Sequence, residues 1–366
     1  MSFANHQQPA AWFVACGTFL RWLGIYIFVI EILSGLTSFA PEYYAEMSWD
    51  AMIGVCVSVV ATGMEFLIAQ LRKLPASSLQ KRHHLNQYVL RILLVLTLVD
   101  YGIAKIANIQ FGNEYAVLDS PLYDVDGFQL CWRFFDYSYA YKLFIGCSQL
   151  IGALLLVNRR TVISGCFILL PVMANVAFVN FTHTRIVTFT STFDLLMILY
   201  LIATDFDRLS AVFITNKSAP ENKSLAIIPY AIFNRKAFKI TSAVLLVLYI
   251  VGAIVDNINA KAERNHSHLF KGAFHIKSLT STSPTHLWRK IYLENYGRAV
   301  IKDENGESIW SFIEIDEQKQ NIQVSFEDST YEGFEGQYVI QADSTIVIHA
   351  FNKTDTFNME WHRFLR

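Results

Sequence analysis

Asp100 and Lys105 lie five positions apart inside a run of apolar residues long enough to cross a bilayer. A charge near the bilayer centre costs about 2.5–3.5 kcal/mol even on the lenient insertion scale, so each needs a partner or a purpose. Glu31 and Glu65 stand in two further apolar runs, where pairing across helices or a hydrated helix end is the favoured explanation. Lys105 keeps different company. At comparable depth, taken at about 1.5 Å per residue, stand Ser138 and Tyr141 on the next apolar segment, Asn175 and Asn180 on the one after it, and Asp194 on the one after that. Tyr141 and Ser148, seven residues apart, share a helix face that Gln149 borders. A cation, amides and hydroxyls gathered in this way are suited to holding a quinone carbonyl or the polar end of a lipid or small solute. Asp194 is the first choice of partner for the Lys105 ammonium, because Asp100 is about 140° off its helix face.

These side chains need helices to position them. The chain has 366 residues, 53% apolar and only 17% charged, a membrane-protein composition. Its formal charge of −1 excludes an overall basic field for nucleic acid. Seven windows have the roughly 20 apolar residues that a hydrocarbon core requires, at about 19–39, 51–71, 88–108, 138–157, 161–182, 190–212 and 238–258. The expected fold is therefore seven transmembrane helices followed by a β domain. It comprises a two-helix segment over 1–87, a four-helix bundle over 88–212, a loop and seventh helix over 213–259, and an antiparallel β domain over 260–366. Gly146, Gly152, Ala153 and Gly165 would let the bundle helices approach closely.

Loop charge sets the orientation. One set of loops carries thirteen Lys and Arg, counting Arg72, Lys73, Lys81, Arg82, Arg91, Arg159, Arg160, Arg208, Lys217, Lys223, Arg235, Lys236 and Lys239. The other set carries only Arg133 and Arg185, and its first member, around Glu42, Glu46 and Asp50, has none. Cytoplasmic loops collect these residues, so the N-terminus is expected inside a bacterial inner membrane, with the 109–137 loop and the tail on the periplasmic side. No Lys or Arg precedes Arg21, so the basic start of a cleaved signal peptide is missing and the first helix is expected to stay.

Beyond about 260 the pattern changes to period two, as in Ile322-Val324-Phe326, Ile346-Ile348-Ala350 and Phe357-Met359-Trp361. Asn305-Gly306 supplies the turn of a hairpin. Five to seven strands in a small barrel or sandwich, able to fold alone, are expected. The five cysteines form no C-x-x-C pair, and His266, His268, His275 and His286 match no ligand spacing, so no metal site is expected.

In the middle of the chain the run Tyr101 to Phe111 (YGIAKIANIQF), then Trp132 to Tyr141 (WRFFDYSYAY), Phe144-Ile145-Gly146, Leu154 to Thr161 (LLLVNRRT), Asn175 and Val179-Asn180-Phe181 resembles the DoxX family of bacterial membrane proteins, most of all its longer members. The resemblance covers about 90–210 and implies a four-helix membrane bundle. Some members are subunits of a thiosulfate:quinone oxidoreductase or associate with redox enzymes. The chain departs from the family where Asp136-Tyr137-Ser138 replaces Gly-Tyr-Ser and where Gln149 replaces Glu. It departs again where Asn180 to Thr188 (NFTHTRIVT) replaces Asn-Phe-x-Tyr-Asp-x-Pro-Val-Lys, leaving His183, Asp136 and Asp194 as candidate replacements in any proton relay.

Two functions follow. One is an accessory or anchoring protein that presents the β domain to an extracytoplasmic partner and binds a lipid or small ligand in the bundle. The alternative is a redox-linked subunit that binds a quinone and serves an electron-transfer partner, with the aromatic outer loop around Tyr115, Phe128, Trp132 and Phe135 above the pocket. No cofactor is evident in the sequence, and a quinone is the one the alternative would need. The candidate ligand residues are Lys105, Gln110, Trp132, Tyr137, Ser138, Tyr141, Gln149, Asn175, Asn180, His183 and Asp194.

Overall fold

The computed structural model describes residues 9–37, 43–75, 77–112, 114–184, 188–219, 236–265, 270–281, 288–294, 297–328, 330–341, 345–352 and 356–365. Arg185, Lys223, Arg235, Glu42, His266, His268 and His286 lie outside these residues. The chain divides into two units. The first comprises residues 1–110 and 137–257, the second residues 111–136 and 258–366.

The first unit is helical. Its elements are α1 (Ala11–Thr37), α2 (Tyr43–Leu71) and α3 (Ser77–Ile106), then, beyond a connection that belongs to the second unit, α6 (Tyr139–Val157), α7 (Val162–Val179), α8 (Thr188–Ala203), α9 (Phe206–Phe213) and α10 (Lys236–Asn265). Among the described residues, each of the seven apolar windows lies mainly on a helix, and the sixth is broken at Thr204–Asp205 into α8 and the short α9. Five stretches among the described residues are long and apolar enough to cross a membrane: Ala11–Ile30, Met52–Leu71, Tyr139–Val157, Val162–His183 and Lys236–Ala262. Helix α8, at 16 residues, is shorter, and α3 carries Arg91, Asp100 and Lys105 in its apolar half.

Helices α1, α3, α6, α7 and α8 surround one core, built on Leu90, Leu94, Leu98, Leu156, Leu169 and Met197. Helix α1 thus joins the four helices expected to form the bundle. Glycines set the close approaches. A Cβ at Gly146 would lie 2.9 Å from the Gly102 carbonyl oxygen of α3, and one at Gly165 would lie 2.8 Å from the Gly152 carbonyl oxygen. Backbone packed this closely excludes any side chain, as expected of small residues in helix contacts.

The second unit is a closed eight-stranded antiparallel barrel, with strands paired in chain order and β8 returning to β1. Its strands are β1 (Gly272–Ser281), β2 (Trp288–Leu293), β3 (Arg298–Asp303), β4 (Ser308–Asp316), β5 (Asn321–Phe326), β6 (Phe334–Ile340), β7 (Ile346–Phe351) and β8 (Thr356–Leu365). The count of five to seven was short; eight strands remove both open edges. Alternation carries Ile309, Ser311 and Ile313 inward on β4 and leaves Trp310 and Phe312 outside. Phe274, Ile291, Ile301, Ile322, Ile348 and Trp361 fill the interior. Gly306, at φ +84°, makes the expected turn between β3 and β4.

The same unit contains α4 (Tyr115–Leu118) and most of α5 (Gly127–Tyr137), both from the connection between α3 and α6. Ala116 packs against Ala273, Tyr292 and Val300 on the outer face of β1–β3. The 111–136 connection is therefore part of the barrel unit rather than a free loop.

Gly146→Leu is expected to disrupt α3–α6 packing, because overpacking into backbone costs roughly 1–3 kcal/mol or more. Gly63→Ala on α2, where an added Cβ meets nothing within 4 Å, is expected to leave stability unchanged or slightly raised. Thermal unfolding of both variants in detergent checks the contrast.

Candidate functional site

Lys105 occupies the last turn of α3 and is only 4% exposed. Beyond it Asn108 adopts the left-handed conformation at φ +59°, and the Ile109 and Gln110 amides donate back to the Ala104 carbonyl at 3.0 and 3.3 Å. This C-terminal cap reverses the chain. It returns Gln110 to Lys105, whose ammonium donates to Gln110 Oε1 at 2.8 Å and to the Tyr101 carbonyl at 3.4 Å. The Tyr101 ring lies 5.5 Å from the same ammonium.

The other candidates disperse. Ser138 is the N-cap of α6, its hydroxyl accepting from the Tyr141 amide at 3.3 Å. Gln149, 1% exposed, donates weakly to Met173 Sδ at 3.5 Å, and its Oε1 has no partner among the described residues. Asn180 donates to Ser191 Oγ at 3.0 Å. Asp194 is buried and, with Thr97 and Thr190, lines a small cleft between Gly24, Leu93 and Phe193. Trp132 belongs to the barrel unit, stacked on Phe128 at 4.2 Å and edge-on to Phe111 at 5.1 Å. Tyr137, Asn175 and His183 are exposed rather than turned into the bundle.

The sequence reading missed several buried polar groups. Lys142, 1% exposed, sits one turn before Gly146 on α6; a charge on the same face as Gly146 and Gln149 was the available signal. Arg91, counted among the loop charges, is buried in α3 and donates to the Leu156 and Val157 carbonyls at 2.7 and 2.5 Å, satisfying the end of α6. Arg21 on α1 pairs with Glu65 on α2 and donates to Asn86 Oδ1 at 2.9 Å. Asn86 in turn donates to the Val14 carbonyl and to Thr18 Oγ1. His83 meets the Tyr200 hydroxyl at 3.2 Å beside this network. No group of three or more His, Cys, Asp or Glu able to hold a metal ion occurs among the described residues.

The second unit has its own polar seam. Glu294, 4% exposed, follows β2 and accepts from the Tyr115 and Ala116 amides at 2.9 Å each, at the first turn of α4. Arg298 donates to Glu114 at 3.0 Å, and Lys302 donates to Ser120 Oγ at 3.2 Å. Asp119 accepts from Lys290 at 2.5 Å and from Tyr292 at 2.6 Å. Burial works against the Asp119 carboxylate, but these two hydrogen bonds outweigh it and hold it below the usual range. For Glu294 the balance is reversed. Burial pushes its carboxyl up to about 7, more than the two amide bonds and Arg298 offset, with Glu114 adding to the rise.

A folded-state value above the ordinary one means that the folded unit binds the proton more tightly than the unfolded chain does. The Glu294 contribution to stability is thus fully present below about pH 4.5 and lost as the pH rises through about 7. His275, lowered by burial and by Lys290, titrates in the opposite sense, so the informative quantity is a difference between variants. Between pH 5 and 8 the wild type is expected to lose up to about 3 kcal/mol more than Glu294→Gln. Tryptophan fluorescence during denaturation of the full chain reads this, since Trp288 and Trp361 are barrel core residues.

No protein-family model and no solved structure matches the chain. Over 123 residues it is 32% identical to the uncharacterized protein YwoB of Bacillus subtilis (strain 168), a match covering 34% of this chain and 79% of that protein. With that identity over most of its relative's length, the chain belongs to the family of YwoB.

Proposed function

We propose that this protein is an integral inner-membrane anchor that presents its barrel unit to a periplasmic partner and binds a lipid or small ligand in a DoxX-like bundle. In this reading α1, α2, α3, α6, α7, α8 and α10 cross the bilayer, the N-terminus is cytoplasmic, and α3, α6, α7 and α8 form the bundle. One observation carries it. Residues 111–136 and 258–366 fold into a single unit, so they must lie on the same side of any membrane, and the crossings between them must be even in number. Helices α6, α7, α8 and α10 make four. Leaving out the short α8 makes three and would place the two parts of one unit on opposite sides. The charge-poor loops give the same side to both segments. The chain passes into or out of the barrel unit three times, a tether suited to holding a docking module at the membrane.

In this reading the ligand candidates are Lys105 with Gln110, Gln149, and Asp194 in its own cleft, at separate places in the bundle. The redox alternative rests on the same residues, and the aromatic residues it called on stack on one another within the connection, as Phe111 does on Phe135 at 4.9 Å.

Alkaline phosphatase fused after residue 124 and after residue 260 is expected to be active at both positions, and inactive after residue 217. Activity at only one of the first two would overturn the seven-crossing anchor. A lipid extract of the purified protein is expected to lack stoichiometric quinone. One quinone per chain, lost in Lys105→Met and Gln149→Leu, would favour the redox reading instead.

A further inference from the structure

We infer that the outer face of α7 is a contact surface for a second copy of this chain, centred on Asn175. Helix α7 and the π-turn that follows it, Asn180–Thr184, form the apolar stretch Val162–His183. Asn175 is thirteen residues from one end of that stretch and eight from the other, about 20 and 12 Å at helical rise. If this stretch spans the bilayer, the side chain lies at hydrocarbon depth.

The buried face of α7 is Gly165, Cys166, Leu169, Met173 and Ala177. Asn175 points the other way. It is exposed and makes no hydrogen bond among the described residues. Other polar side chains of the helical unit, Arg21, Asn86, Arg91, Lys105 and Asn180, are bonded, while single atoms of Thr62, His84 and Gln149 are not. Lipid tails can satisfy neither the donors nor the acceptor of an amide.

Pro171 stands one turn before Asn175 on the same exposed stripe, and Phe178, 70% exposed, stands one turn after it. Pro171 has no N–H to offer, so the Phe167 carbonyl loses its helical donor on that stripe too. The stripe from Pro171 through Thr182 carries no charge that would repel a copy of itself.

A second copy fits this face for a reason of chemistry. An amide carries donor and acceptor on one planar group, so it complements itself. Copies inserted in the same orientation are related by a two-fold axis along the membrane normal, which sets Asn175 against Asn175 at equal depth without any further adjustment. A different protein would have to supply a polar group at that depth by separate design. Amide pairs of this kind drive helix association in lipid.

The test uses the full chain in lipid vesicles, labelled for single-molecule photobleaching and diluted over a range of protein-to-lipid ratios. The wild type is expected to dimerise. Asn175→Leu should weaken the dimer about 3- to 30-fold, and Asn175→Gln, which keeps the amide, should retain most of it. Independently of either variant, Phe178→Cys should cross-link between copies on oxidation above the background set by Leu154→Cys on the exposed face of α6. A wild type that stays monomeric at the highest ratio, with lipid alone covering the face, overturns the inference. So does a dimer that is indifferent to Asn175→Leu, or equal cross-linking from the two cysteines.

Discussion

One buried carboxylate ties the connection between α3 and α6 to the barrel. Glu294 accepts from two backbone amides that would otherwise be unsatisfied at the start of α4, and around that point Arg298–Glu114, Lys290–Asp119 and Lys302–Ser120 form a seam along β2 and β3. An uncapped, buried helix start is costly, so the seam decides where this connection lies. Much of the rest follows. A connection held to the barrel must share its side of any membrane that the helices cross, which is the constraint on which the proposed topology rests. The docked α4 also covers the outward-facing Ala273, Tyr292 and Val300, which would otherwise be an apolar patch in water.

In the helical unit several polar groups among apolar helices find partners within the protein. Arg91 shows how closely packing and polarity are joined. Its guanidinium satisfies the last carbonyls of α6 on the helix next to it, so its charge is used to end one helix while its stem packs inside another. The Arg21–Glu65–Asn86 network joins α1, α2 and α3 in the same way. Close backbone contact at Gly102–Gly146 and at Gly152–Gly165 brings the helices near enough for such short side-chain reaches.

The elements themselves were legible because each has its own period. Twenty-residue apolar windows marked the helices, and alternation marked the strands from Ile322 to Trp361. Residues beyond that local signal were not readable. Glu294 lies 179 positions from the amide it caps, and Arg21 lies 65 positions from Asn86. Nothing in the spacing of either residue reveals a partner so distant. Depth alone grouped Asn175 with Lys105, because counting residues along a helix gives height more securely than it gives which way a side chain faces. Gln110 stood only among the ligand candidates, and Asp194 was the expected partner of Lys105; the cap at Asn108, a local feature, is what returns Gln110 to the ammonium.

The claim on which the account rests is that 111–136 belongs to the barrel. Hydrogen–deuterium exchange on the full-length protein in nanodiscs tests it most directly, at the Tyr115 and Ala116 amides. These should be as protected as the amides of β2 and β3, and should lose that protection in Glu294→Ala while the strands keep theirs. If in the wild type they exchange like a free peptide while the barrel stays protected, the connection is a loose loop and the argument for the membrane crossings loses its support.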